Sequence, residues 1–220
     1  MRLIIGTFTS CLLAIASANA QVGADASIGT QGLSFQAQAK ILPVLVLRGG
    51  VHALDFEIED REFDGIDYDV ELGFTQFGGY ADLHPFANGF ALTAGILLGE
   101  RQFDLTAAPT EDVEVGDVTF SPEEIGTLVG SADFGDQAFY AGFGFDNTVY
   151  GQSRFTIVFR AGVILTDEPE ISLDNVGGIQ DPLIQAEIDA ELARERASLQ
   201  DDAKDFKAYP AINIGLGFRF

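Results

Sequence analysis

The chain ends in a stretch where every second residue is apolar. Ile212, Ile214, Leu216, Phe218 and Phe220 share one side of an extended ribbon; Asn213, Gly215, Gly217 and Arg219 share the other. Successive strand side chains point to opposite sides, so this ribbon has one greasy face and one small or polar face. A soluble sandwich would turn the greasy face inward, and a lipid-spanning barrel would turn it outward. Alternation alone does not separate the two.

The same period recurs along the chain. Phe155, Ile157, Phe159, Ala161, Val163 and Leu165 alternate with Thr156, Val158, Arg160, Gly162 and Ile164. Phe139, Ala141, Phe143 and Phe145 alternate with Tyr140, Gly142 and Gly144. Further ribbons run over 90–99, 66–75 and 33–40. The stretch 44–58 is apolar enough for a strand, but its phase slips near Ala53 and Leu54, which a β-bulge would explain. These make seven strands. Closed single-chain barrels have even numbers, so an eighth is expected in 21–29, where Val22, Ala24, Ala26 and Ile28 alternate weakly with Gly23, Asp25, Ser27 and Gly29.

The connections fall into two lengths. Short turns lie near 40–43, 84–89 and 147–152, and long loops near 57–65, 107–131 and 175–207. One segment departs from the β pattern. Over 182–206, Ile184, Ile188, Leu192, Leu199, Ala203 and Phe206 recur at helical spacing, with Asp181 as N-cap and Pro182 at the first helical position. Such a helix is roughly 35 Å long at 1.5 Å per residue. It belongs to what the seven clear strands count as the third long loop, with its narrow apolar stripe against the barrel rim or another loop. Partner binding is the sharper reading of that stripe.

Composition narrows the setting. The chain carries 34 acidic and 12 basic side chains, a net charge of −22, which excludes the clustered positive charge that nucleic acid requires. With 47% hydrophobic residues it is too apolar for a disordered acidic tail. No segment after residue 20 reaches the roughly 18 apolar residues of a membrane helix. Residues 1–20 read as a secretory signal, with Arg2 before an apolar middle and Ala18-Asn19-Ala20 as a small-x-small cleavage site. Cys11, the single cysteine, falls within it, so a mature chain of 21–220 has no disulfide, thiolate nucleophile or cysteine ligand.

The terminal Phe220, with Phe218 and alternate apolar residues before it, resembles the C-terminal assembly signal of bacterial outer-membrane proteins. With the export signal and the alternating strands, the chain resembles small eight-stranded barrels of the OmpA, OmpX and OmpW kind. More narrowly it is similar to a poorly characterised proteobacterial outer-membrane family, through Gly29-Thr30-Gln31-Gly32-Leu33, Leu47-Arg48-Gly49-Gly50, Asp82-Leu83-His84-Pro85-Phe86, the acidic helical segment and Tyr209-Pro210. The fold implied is all-β: an antiparallel up-and-down transmembrane barrel of about eight strands, with one helical segment before the last. The resemblance also implies a place in the outer membrane of a Gram-negative cell. The partners are then outer-membrane lipid and lipopolysaccharide and the barrel-assembly machinery, with Phe218 and Phe220 as the assembly signal; no extracellular partner is specified. It carries over no catalytic residue and no cofactor, and a fold of this kind does not fix function.

Candidate sites follow from where charge must go. Charges excluded from lipid must pair or hydrate, so Asp67, Asp69 and Glu71, with Lys40, Arg101, Arg154, Arg160 and Arg219, are expected to form a lumen network. Eight strands leave an interior that side chains fill, which favours a structural network over an ion pathway. The acidic run containing Asp60, Glu62 and Asp64 superficially fits a calcium loop, but the flanking strand and Asp67 at an apolar position argue against an EF-hand. A looser cation site there is weighed against a solvated acidic loop, which is favoured. Catalysis has little support: His84 lies in a turn, His52 is the one candidate for acyl transfer with a nearby Ser or Asp, and neither a G-x-S-x-G elbow nor paired-His spacing occurs. The expected role is a non-enzymatic barrel contributing to envelope structure or surface contacts through acidic outer loops. The alternative is a narrow transport or small-ligand-binding barrel.

Overall fold

A computed structural model describes residues 21–63, 66–115, 118–178 and 181–220, without the side chains of 56–63, 66–68 and 70–72. The export signal read in 1–20 lies outside the described residues. The elements are β1 (Gln21–Gly29), β2 (Gly32–Leu42), β3 (Leu45–Phe63), β4 (Ile66–Leu83), β5 (Phe90–Leu98), β6 (Gln102–Pro109), β7 (Val113–Val115), β8 (Val118–Phe120), α1 (Pro122–Ile125), β9 (Thr127–Asp133), β10 (Gln137–Asp146), β11 (Phe155–Thr166), β12 (Glu170–Val176), α2 (Pro182–Ala203) and β13 (Ala208–Arg219).

Antiparallel pairing runs β1-β2-β3-β4-β5-β10-β11-β13 and returns to β1, which closes an eight-stranded barrel. The weakly patterned stretch at the start of the described chain is the closing strand. Ala24 pairs with Phe218 and Ala37, and Ala26 with Leu216 and Phe35, so each small outward residue has at least one large neighbour.

The barrel wall continues upward into a second structure. Phe77 pairs with Leu98 and Gly73 with Gln102, so β6 extends β5 along β4 with no residue gained or lost. Likewise Leu98 pairs with Gln137 and Gln102 with Asp133, so β9 and β10 form one interrupted strand. Between β11 and β12 the register slips: the four residues between Asp133 and Ala138 face the three between Thr166 and Glu170. The interruption beside β5 and β10 contains Gly99 and Gly135 at φ +136° and +72°, backbone that side-chain-bearing residues rarely adopt. Above this rim, the upper parts of β3 and β4 with β6, β9 and β12 form an open sheet.

Parity is kept across the rim while polarity inverts. On the outside of β5, Leu92, Ile96 and Leu98 are exposed, whereas Gln102 and Asp104 occupy that face on β6. On the inside, Thr93 and Leu97 give way to Arg101, Phe103, Leu105 and Ala107. Below the rim the outer face meets lipid; above it the same face meets water and the inner face becomes a protein core. This explains the phase slip expected as a bulge at Ala53 and Leu54. The register there is regular, with Ala53 opposite Thr75 and Leu54 opposite Phe74, and the irregularity lies instead between Ile58 and Arg61. The long loops expected at 57–65 and 107–131 are largely strand, and the β4 ribbon at 66–75 stands mostly above the rim, paired with β6.

The upper sheet has its own core. Val115, Phe120, Ile125, Ile188 and Leu192 are buried together, with Val113, Val118, Leu128, Leu173 and Ile184 against them. Asp181 caps α2 by accepting from Leu183 N at 2.8 Å, and only the first half of the apolar stripe enters this core. Leu199 and Phe206 stay exposed. The Gln200 side chain accepts from Ile171 N at 3.0 Å and donates to Pro169 O at 2.8 Å, which covers part of the free edge of β12. With β1 counted, the helix sits in the fourth long-loop-end connection, not the third.

Candidate functional site: the filled lumen and the cleft above it

Inward positions of the barrel strands carry polar residues at the short-turn end. Arg160 on β11 binds Asp25 on β1 through both guanidinium nitrogens, at 2.8 and 3.0 Å, and reaches Asp146 on β10 at 2.6 Å. Asp146 also accepts from Gln38 Nε2 at 3.0 Å and from Thr148 N at 2.8 Å. A second fork joins Arg48 on β3 to Asp82 on β4 at 2.9 and 3.0 Å, with Thr93 Oγ1 donating to Asp82 at 2.7 Å. Arg48 also donates to Gln36 and lies over the Tyr80 ring at 4.1 Å. Planar guanidinium meeting planar carboxylate is the geometry that holds two charges most rigidly. The Arg48 fork joins neighbouring strands and the Arg160 fork spans β13, while Gln38 on β2 reaches Asp146 on β10 across the lumen.

An apolar layer covers this network on the long-loop side. Tyr80, Leu97, Ala138, Tyr140, Ile164 and Ala211 are buried together, with Tyr209 packed on them. The two tyrosine rings meet edge to face at 5.6 Å. Their room comes from glycine: a Cβ on Gly95 would stand 2.2 Å from the Tyr80 ring, and one on Gly142 2.5 Å from the Tyr140 hydroxyl. Tyr80 Oη and Ser34 Oγ lie 2.7 Å from His52 Nε2 and Nδ1 respectively.

That His52 contact could be taken for a catalytic dyad, but both ring nitrogens are occupied and Ser34 and His52 are almost fully buried. Among the described residues no carboxylate bonds the ring, in contrast to a triad, and the Ser34 hydroxyl is buried. At the short-turn end, His84 Nδ1 lies 2.7 Å from Asn88 O and its ring is 4.4 Å from that of Tyr150. Tyr150 Oη donates to Pro43 O at 2.9 Å, and Lys40 lies over its ring at 4.5 Å. His84 is thus a turn residue.

The other expected charges are distributed unevenly. Of the expected lumen residues, Arg160 lies in the network and Arg101 is buried at the rim. Arg219 donates to Gly151 O and Gln152 O at the short-turn end, and Arg154 is exposed. Asp69 is exposed on the upper sheet, away from the lumen, because that part of β4 pairs with β6 above the rim. The side chains of Asp67, Glu71, Asp60 and Glu62, and all of Asp64, lie outside the described residues. Among the described residues, no cluster of three His, Cys, Asp or Glu could hold a metal ion. Sequence reasoning missed Asp25, Arg48, Asp82 and Asp146. Their signal was available, since each occupies a polar place in an alternating ribbon, but partners across a lumen are set by closure.

Outside the barrel Ile28, Phe35, Leu47, Phe77, Phe143 and Leu216 are exposed, a band of large apolar side chains that water would not tolerate at this density. Rings of Phe86, Phe90 and Phe145 touch in series near the short turns, as do those of Phe155, Phe218 and Phe220. An apolar belt, an aromatic girdle and a polar interior belong together only when lipid surrounds the wall. This is the fold of a small outer-membrane β-barrel.

Solved structures agree. The barrel is similar to CarO2 of Acinetobacter baumannii, with a TM-score of 0.63 and 22% identity over 91% of this chain and 98% of that one. It is also similar to CarO of the same organism, with a TM-score of 0.59 at the same identity and coverage. No family model matches the sequence, and no curated protein matches it.

Proposed function

We propose that this chain is a non-enzymatic outer-membrane barrel that contributes to envelope structure or surface contacts through its acidic outer part. The observation that carries the reading is the division of labour along the barrel axis. The lumen is occupied by the two Arg–Asp forks and the apolar layer, while the long-loop end folds around a core of its own. A chain built to conduct would not fill its interior with salt bridges and an apolar layer. A chain built to present a surface gains from a rigid upper sheet that displays Glu111, Asp112, Glu187, Asp189, Asp201 and Asp202 to solvent. Short periplasmic turns and long outer connections are the usual sidedness of such barrels, which puts this acidic surface outside the cell.

The test combines conductance with a surface phenotype. Purified barrel in planar bilayers is expected to give no large, steady conductance. Cells carrying Ile188→Asp, which disrupts the upper core, are expected to lose envelope or attachment phenotypes of the intact protein while the barrel still inserts. A stable open pore in the unaltered protein would overturn this reading and favour transport. A small-ligand role is the second reading, favoured by a cleft at the rim.

A further inference from the structure

At the rim, where β5 passes into β6, a half-open cleft of about 290 Å³ lies between the barrel and the segment that leads from α2 into β13. Its walls are Leu54, Phe74, Phe103, Phe134, Phe206 and Tyr209, and of its polar members Thr30, Gln102 and Arg101 the last carries the charge. Tyr209 also packs on the apolar layer that covers the lumen, so the cleft has a closed floor. It is a cup rather than the mouth of a pore.

Arg101 is the unusual member. It is only 4% exposed, and among the described residues its single hydrogen bond runs from Nη2 to Gly135 O at 2.8 Å. Nε and Nη1 have no hydrogen-bond partner among the described residues. Asp133 and Asp136 act on Arg101 through space, but neither makes an ion pair with it among the described residues. By contrast, Arg48 and Arg160 on the same barrel each hold a carboxylate in a two-pronged fork. A guanidinium takes a carboxylate bidentately on its Nε–Nη2 side, as Arg48 does, or on its Nη1–Nη2 end, as Arg160 does. In Arg101 each of those edges keeps one unsatisfied nitrogen, Nε on the side and Nη1 on the end, and the residue lines an aromatic-walled cup. Buried donors without acceptors are costly, and a site that leaves them so is completed when a matching acceptor arrives.

We infer that this cup is a binding site for a small apolar monocarboxylate, its carboxylate on Arg101 and its hydrocarbon or aryl body among Phe74, Phe103, Phe134 and Tyr209. The class follows from the two halves of the site. A neutral apolar molecule would leave the guanidinium unpaired, and a cation would meet it directly. A strongly hydrated dianion would lose its water against phenyl walls. This goes beyond the surface role proposed above and does not depend on it.

The experiment uses the full barrel in zwitterionic nanodiscs, with empty nanodiscs as the blank, and titration calorimetry. The probes are 3-phenylpropanoate, 3-phenylpropan-1-ol and 3-phenylpropylammonium. The carboxylate is expected to bind about tenfold to a hundredfold more tightly than the alcohol, the range of a charge-assisted pair over a neutral contact. Arg101→Gln should bring the carboxylate down to the affinity of the alcohol and leave the alcohol unchanged. The gel shift of the heated against the unheated barrel checks that the variant still folds. Phe103→Ala provides an independent arm, since it should weaken acid and alcohol alike. Equal binding of acid and alcohol, preference for the ammonium, full affinity in Arg101→Gln, or no binding by any probe would each overturn the assignment.

Discussion

Replacing Arg160 with methionine should expose how the lumen network is held. The side chains of Arg160, Asp25 and Asp146 are 6%, 0% and 9% exposed. Removing one partner of a buried ion pair typically costs about 3–5 kcal/mol, because a charge is left without compensation. The two carboxylates do not share that loss equally. Asp146 keeps Thr148 N at 2.8 Å and Gln38 Nε2 at 3.0 Å. Among the described residues, Asp25 has hydrogen bonds to Arg160 alone. Most of the cost should therefore sit on Asp25.

Arg160→Met is expected to destabilise by about 3–5 kcal/mol. Adding Asp25→Leu should recover all but roughly 1–1.5 kcal/mol, as an apolar pair replaces the ionic one. Adding Asp146→Asn instead should recover much less. The assay is urea unfolding of the barrel refolded in lipid vesicles, followed by far-ultraviolet circular dichroism and by the gel shift on heating. Circular dichroism suits a chain that contains no tryptophan. A loss below about 1 kcal/mol for Arg160→Met, or rescue by Asp146→Asn rather than Asp25→Leu, would refute the claim that Asp25 depends on this one partner.

Four further outcomes are expected. Gly162→Val should cost about 1–3 kcal/mol by overpacking, since even a Cβ there lies 2.7 Å from Tyr140 atoms, and the same unfolding assay reads it. Leu216→Arg, on the lipid face, should cost up to about 2–4 kcal/mol if it lies near the bilayer midplane, while the nearby inward Gly217 is limited by sterics rather than lipid. Ile188→Asp should make the upper sheet sensitive to protease while the membrane-embedded barrel keeps its gel shift, because the two cores are separate. The last concerns pH. Ser121 N and Oγ both donate to Glu124, at 2.9 and 2.8 Å, and hold its carboxyl below the ordinary 4.5. A depressed carboxyl stabilises the fold above its unfolded value and loses that contribution as pH falls through the folded one. Amide exchange across α1 should therefore rise on acidification below the carboxylate range, and an unchanged rate would count against the cap.

Period-two alternation made the barrel legible residue by residue. The lipid-facing places at Phe139, Phe143, Phe155, Ile157, Ile212 and Ile214 are exposed as the pattern requires, and α2 begins at the expected cap. The reading failed where the environment changes along a strand. Above the rim an apolar residue points inward toward a protein core, so Leu54 looked out of phase although its strand is continuous. The acidic residue Asp69 was assigned to the lumen for the same reason: its alternation is real, but its strand has already left the membrane.

The sequence by itself determined what each strand position must face in a given medium, because side-chain direction alternates and lipid, water and protein accept different chemistry. That is why the terminal ribbon ending in Phe220 constrained the fold so strongly. Only the tertiary structure decided which residues meet inside the lumen, where lipid gives way to the upper core, and that Arg101 lines an aromatic-walled cup with no ion pair among the described residues. Pairing Asp25 with Arg160 joins positions 135 apart in the chain. Such a contact depends on closure, register and the height of the rim, and no local pattern encodes those three together.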